Sequence, residues 1–312
     1  MKNILKRLQI LLLALFMILG SVPGPVIAKE QFNNGITIHS IQDYQQRGAV
    51  NTANLPSNTE KSGNWAGYIS VPMSKGSSYT SISGSWTVPG ISSSRQSASA
   101  AQWIGLGGVN SEDLLQIGTI EEIKNGQPTA EVFWEKLPYA AQNILSIPMG
   151  SVINVSISKV SDSTWNLTFT AAEPDGKVET KTISTELDSS YEQGIGTSAE
   201  WISEDPSNQY NQLLPLANTD TVKYQSAKVN ENSLKNSSNN VHPVAMISGS
   251  GNIAIYPSEI GTDGESFTTT TNSSYNNNAQ NFRRRSIDFP RHISRHPGGY
   301  PNFRQPSSAV GY

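Results

Sequence analysis

The sequence contains no cysteine. That single absence excludes disulfides, thiol nucleophiles and cysteine-ligated zinc, and it leaves the hydrophobic core to stabilise any folded body. Histidine is almost as scarce. Of the four, His39 lies near the N-terminus and His292 and His296 near the C-terminus, so the central body holds His242 alone. No HExxH pair, histidine cluster or GxSxG elbow occurs, which argues against catalytic zinc and against a Ser/His/Asp hydrolase. His242, beside Pro243, reads as a turn or sheet-end residue. The Asp-Thr-Gly and Asp-Ser-Gly triplets of paired-aspartate peptidases are also missing. Charged residues amount to only 15%, too few for an array of surface helices rich in Glu and Lys.

What is present is Ser, Thr, Asn and Gly in short alternating runs. Residues 1 to 28 carry a basic start (Lys2, Lys6, Arg7), an apolar run from Ile10 to Leu19 and small residues near Ala28, the layout of a secretory signal. Residues 29 to 62 are polar and weakly patterned, a leader or propeptide. Residues 63 to 271 form the expected globular body, and 272 to 312 a disordered basic tail with six Arg. Of the total charge of −3, the signal contributes +3 and residues 273 to 312 contribute +5, which leaves −11 on residues 29 to 272. A body so acidic repels phosphates, so no nucleic acid is expected as a partner. Once the signal is removed no membrane association is expected, and the protein reads as a secreted, extracellular monomer.

Within the body, Ser81 to Val88, Ser151 to Lys159 and Thr164 to Thr170 alternate with period two, and Ser161-Asp162-Ser163 joins the last two as a hairpin. Further strands are expected at Asn64 to Val71, Glu131 to Trp134, Thr180 to Ser184, Ala199 to Glu204, Thr221 to Val229, Val244 to Ile247, Asn252 to Tyr256 and Phe267 to Thr271. Short strands at this density, without amphipathic helices, predict an all-β sandwich of two curved antiparallel sheets with concanavalin-like architecture.

With histidine and cysteine chemistry removed, carboxylate and amide chemistry remains. A carboxylate can take a proton from water and return it to a leaving amine, while an amide holds the water and steadies the oxyanion. In Ser198 to Asp205 (SAEWISED), Glu200, Ile202 and Glu204 share one strand face, so that face meets water, a cleft or a partner. In Asp113 to Gly118 (DLLQIG), Gln116 sits among Leu114, Leu115 and Ile117, where a buried amide needs partners. Plain alternatives stand beside these readings: a solvated strand for the glutamates and a structural core amide for Gln116.

At these residues the sequence resembles the glutamic peptidase family, the eqolisins. The resemblance rests on NWAG (64 to 67), QWIGLGG (102 to 108) followed by LLQIG (114 to 118), FWEKLP (133 to 138), AEWISED (199 to 205) and a closing GESFTTT (264 to 270). It implies a secreted acid endopeptidase acting on polypeptides, without metal or cofactor. The catalytic pair would be Glu204 and Gln116, with Trp65, Trp103, Glu131 and Glu135 lining or supporting the substrate cleft and Glu200 a neighbour. Gly107 stands where fungal members carry an aspartate, and the lack of cysteine fits a bacterial type. The competing reading is a non-catalytic carbohydrate-binding or adhesive sandwich, with Trp65, Trp103 and Trp134 stacking on sugars.

Overall fold

A computed structural model describes residues 55 to 208 and 212 to 272. The expected signal, most of the leader and all but the first residue of the basic tail lie outside the described residues. Sixteen strands are found among those described: β1 (Glu60–Ser62), β2 (Trp65–Pro72), β3 (Ser81–Thr87), β4 (Ala98–Gly107), β5 (Leu114–Lys124), β6 (Gln127–Lys136), β7 (Gln142–Ile147), β8 (Val152–Lys159), β9 (Thr164–Ala172), β10 (Val178–Glu186), β11 (Ala199–Glu204), β12 (Thr221–Val229), β13 (Asn232–Ser233), β14 (Asn239–Ile247), β15 (Ile253–Pro257) and β16 (Phe267–Thr271).

The two expected sheets are the two limbs of one continuous hydrogen-bonded path, in the order β10-β9-β8-β3-β12-β16-β15-β14-β2-β11-β4-β5-β6-β7. β12 carries the chain from limb to limb. Its first half pairs with β16 and its second half with β3, and the ladder breaks register near Ser226, whose φ is 51°. Such a bulge adds local twist and bend, which lets one sheet curl over itself. Pairing along the path is antiparallel; β1, off the path, runs parallel to β14.

The limbs close over a core in which Ile104, Leu106, Leu115, Ile117 and Trp201 meet Ile82, Trp86, Ile153, Val155, Trp165, Leu167 and Phe169. Each fully buried indole removes about 200 Å² from water, so each contributes on the order of 5 kcal/mol, as an upper figure. Two indoles also bond across the gap: Trp201 Nε1 donates to the Ser83 carbonyl at 2.8 Å and Trp86 Nε1 to Thr119 Oγ1 at 3.1 Å. Gly84 permits this approach, because a Cβ there would stand 3.0 Å from the Trp201 ring.

One helix was not foreseen. Asp188 caps Ser189–Ile195 by accepting from the Ser190 and Tyr191 N–H groups, and Tyr191 Oη donates to the Leu114 carbonyl at 2.7 Å. The cap and the following Gly196 were its sequence signals. No helix among the described residues is long and apolar enough to cross a membrane.

Candidate active site

β11 is flanked by β2 and β4. Its Ala199 and Trp201 face the core, so Glu200, Ile202 and Glu204 face the other way. Residues paired across strands share a face, and the register therefore assembles the site. Glu204 lies opposite Trp65 on β2 and Ala101 on β4, and Ile202 lies opposite Trp103. Gln116 on β5 lies opposite Gly105 on β4 and Glu135 on β6, and Ile120 pairs with Glu131. Trp65, Trp103, Gln116, Glu131, Glu135 and Glu204 thus occupy one face of five adjacent strands, with Glu200 in the same lateral row as Gln116 and Glu135.

Glu204 is held by three donors. Trp103 Nε1 donates to Oε2 at 2.7 Å, while Asn64 Nδ2 at 3.0 Å and Trp65 Nε1 at 3.2 Å donate to Oε1. The two indoles meet edge to face at 5.1 Å. Gly105 makes room for this arrangement, since a Cβ there would press on the Trp103 ring at 2.9 Å and on Leu114 at 3.0 Å. Burial pushes the Glu204 carboxyl up to about 7, against the opposing pull of the three N–H donors.

Gln116 is buried, and its Nε2 donates to Glu135 Oε2 at 2.5 Å. Its Oε1 has no partner within the protein. Burial, followed by the charge of Glu204, raises Glu135 to about 7. Glu204 accepts from three side-chain donors and Glu135 from the Gln116 amide and the Ala141 N–H, a difference that favours Glu204 as the first of the pair to ionise. Glu131 accepts from Asn143 Nδ2 at the outer strand.

Three placements differ from expectation. Glu200 is fully buried, and burial, opposed by the Ser198 hydroxyl, raises its carboxyl well above the ordinary range, which favours its neutral form. His242 is not a turn or sheet-end residue. It lies within β14, buried, with Nδ1 2.9 Å from Glu60 Oε1. Trp134 packs against the core on the opposite face from Trp65 and Trp103. Asn64 was not singled out as a donor, although its place before Trp65 in NWAG was its signal. Among the described residues no group of three or more His, Asp or Glu side chains could hold a metal ion.

Residues 63–278 match the model of the Peptidase A4 family. The chain is 28% identical over 174 residues to Aspergillopepsin-2 of Aspergillus niger, an alignment covering 49% of this chain and 59% of that protein. It therefore spans about three-fifths of the length of this curated relative. Among solved structures, scytalido-glutamic peptidase with a transition state analog inhibitor superposes with a TM-score of 0.53 at 22% identity, covering 67% of this chain and 98% of that one. SCP-B, a member of the Eqolisin family of Peptidases in complex with the tripeptide Ala-Ile-His, gives a TM-score of 0.50 at 22% identity with the same coverage. These two likenesses establish the fold. The family match extends over well more than half of the chain, and the protein belongs to the Peptidase A4 family, the glutamic peptidases.

Proposed function

We propose that the protein is a secreted endopeptidase that hydrolyses polypeptides with Glu204 and Gln116 acting on a water molecule. The observation that carries this reading is the setting of Glu204: a carboxyl raised to about 7, held by Asn64, Trp65 and Trp103 on the same sheet face as Gln116. Ionised Glu204 takes a proton from water as the water attacks the peptide carbonyl. It then returns that proton to the departing amine. The three N–H donors fix the carboxylate without engaging all its lone pairs.

Gln116 supplies the other half. In its observed setting Nε2 is spent on Glu135 and Oε1 has no donor. Protonated Glu135 can donate to Oε1 once the amide turns over, which satisfies the orphaned oxygen and frees Nε2 for the developing oxyanion. Catalysis then needs Glu204 ionised and Glu135 protonated, two states of a coupled carboxyl pair. Activity should rise as Glu204 ionises and fall as Glu135 does. With both near 7 the optimum belongs in weakly acidic rather than strongly acidic solution.

The sugar-binding alternative is disfavoured by the tryptophans it named. Trp103 is 0% exposed and Trp65 6%, and Trp134 faces the core side, so none of these three indoles presents an open face for stacking. Incubation of an unfolded protein with the secreted chain between pH 4 and 8, with a chelator and a serine-protease inhibitor present, tests the proposal. Internal cleavage that peaks in weakly acidic to neutral solution is the expected result. Intact substrate at every pH, with binding to immobilised glycan, would favour the module.

A further inference from the structure

The buried contact between His242 Nδ1 and Glu60 Oε1, 2.9 Å apart, has no role in the chemistry just described, and Glu60 precedes the family-matched region, which starts at residue 63. β1 adds these upstream residues to the sheet: Glu60 pairs with Val244 of β14 and Ser62 with Met246. Burying polar groups is costly unless they are fully hydrogen-bonded, and here each partner keeps an unsatisfied atom, Glu60 Oε2 and His242 Nε2. The pair is followed two residues later by a hydroxyl bridge. Ser62 Oγ, almost fully buried, accepts from the Trp65 N–H at 3.1 Å and from the Asn64 N–H at 3.3 Å, and donates to Asn64 Oδ1 at 3.3 Å. Asn64 and Trp65 are two of the three donors on Glu204.

We infer that Glu60, His242 and Ser62 are positioning residues for the reaction: the buried pair anchors β1 on β14, and Ser62 passes that anchor to the Asn64 and Trp65 side chains that hold the Glu204 carboxylate. The segment ahead of the family-matched region is then part of the working enzyme, and an active chain must retain residues 60 to 62. Loosening the anchor withdraws donors from the charged form of Glu204, which moves its ionisation upward. Glu135 on β6 and the adjacent Asp205 are the carboxyls that couple to Glu204, and the anchor touches neither. This inference rests on the catalytic reading of Glu204, and its test separates the two.

Full-length Glu60→Gln, His242→Gln and Ser62→Ala variants are compared with wild type for turnover of an unfolded polypeptide across pH. In each, the indole N–H resonances of Trp65 and Trp103 are also followed by NMR against pH. The expected result is a kcat about ten-fold lower with KM nearly unchanged, an acid limb displaced upward by roughly half a pH unit or more, and the same displacement in the Trp65 resonance. The Glu60→Gln, His242→Gln double variant should be no worse than either single one. Ser62→Ala leaves the buried pair untouched, so it decides the matter if removal of that pair prevents folding. The indole titration reports Glu204 directly, without turnover. If Glu204→Gln retained full activity, the catalytic reading would fall, and an upward-shifted Trp65 titration would still uphold the clamp. Folded variants with wild-type acid limb and wild-type Trp65 titration would overturn it.

Discussion

Glu204→Gln is expected to lower kcat on the order of 10⁴-fold while the chain stays folded, because in the proposed mechanism the one carboxyl serves first as general base and then as general acid. Glutamine fills the same volume and still offers an oxygen to the Trp and Asn donors, so KM should change little. A second consequence distinguishes loss of chemistry from loss of fold. Removing a carboxyl raised to about 7 should make the variant more stable than wild type above neutral pH. Calorimetry beside a peptide-cleavage assay reads both. A variant that cleaves at the wild-type rate would remove Glu204 from the mechanism.

Wild-type stability is expected to fall steeply as pH rises from about 5 to 9, since the fold encloses several carboxyls on both faces of the β11-β4-β5 strands. Glu121 is the clearest case: fully buried, and raised by burial to about 8 against the weaker opposing pull of the Thr119 hydroxyl and its own backbone N–H. Burial also raises Asp205 and Glu200 well above the ordinary range. A carboxyl raised on folding holds a proton that the unfolded chain releases near 4.5, so its favourable contribution is complete below that value. It is lost as pH climbs through the folded-state value. For Glu121 the loss between 4.5 and about 8 is on the order of 5 kcal/mol, or roughly 10 to 20 °C of melting temperature for a body this size. Glu121→Gln should flatten the profile, melting above wild type at pH 8 and close to it at pH 4. Thermal unfolding at pH 4, 6 and 8 is the check, and a melting temperature independent of pH would contradict the assignment of neutral buried carboxyls.

The readable strands were those with one face in the core. β8 and β9 alternate buried and open positions and stand out in the sequence, and β11, β12 and β16 begin and end where their patterns predict. β4 and β5 were not legible as strands because both of their faces are covered, which erases the period-two signal. β1 was hidden for another reason: its three residues are strand only through parallel pairing with β14, a long-range contact that local propensity does not encode. The site shows the same division. Residue types and family-like motifs pointed to Glu204, Gln116, the two indoles and Glu135. The burial of Glu200, the bond between Gln116 and Glu135, and the partner of His242 depend on register between strands distant in sequence.

In the proposed mechanism a carboxyl and an amide serve one reacting carbon. A crystal structure of the protein with a peptide carrying a tetrahedral, non-cleavable centre measures this directly. The account predicts that the two oxygens of that centre lie about 3 Å from Glu204 and from Gln116 Nε2 respectively, with the amide turned away from its bond to Glu135. A tetrahedral centre bound out of reach of either side chain, or a Gln116 Nε2 still donating to Glu135, would contradict it.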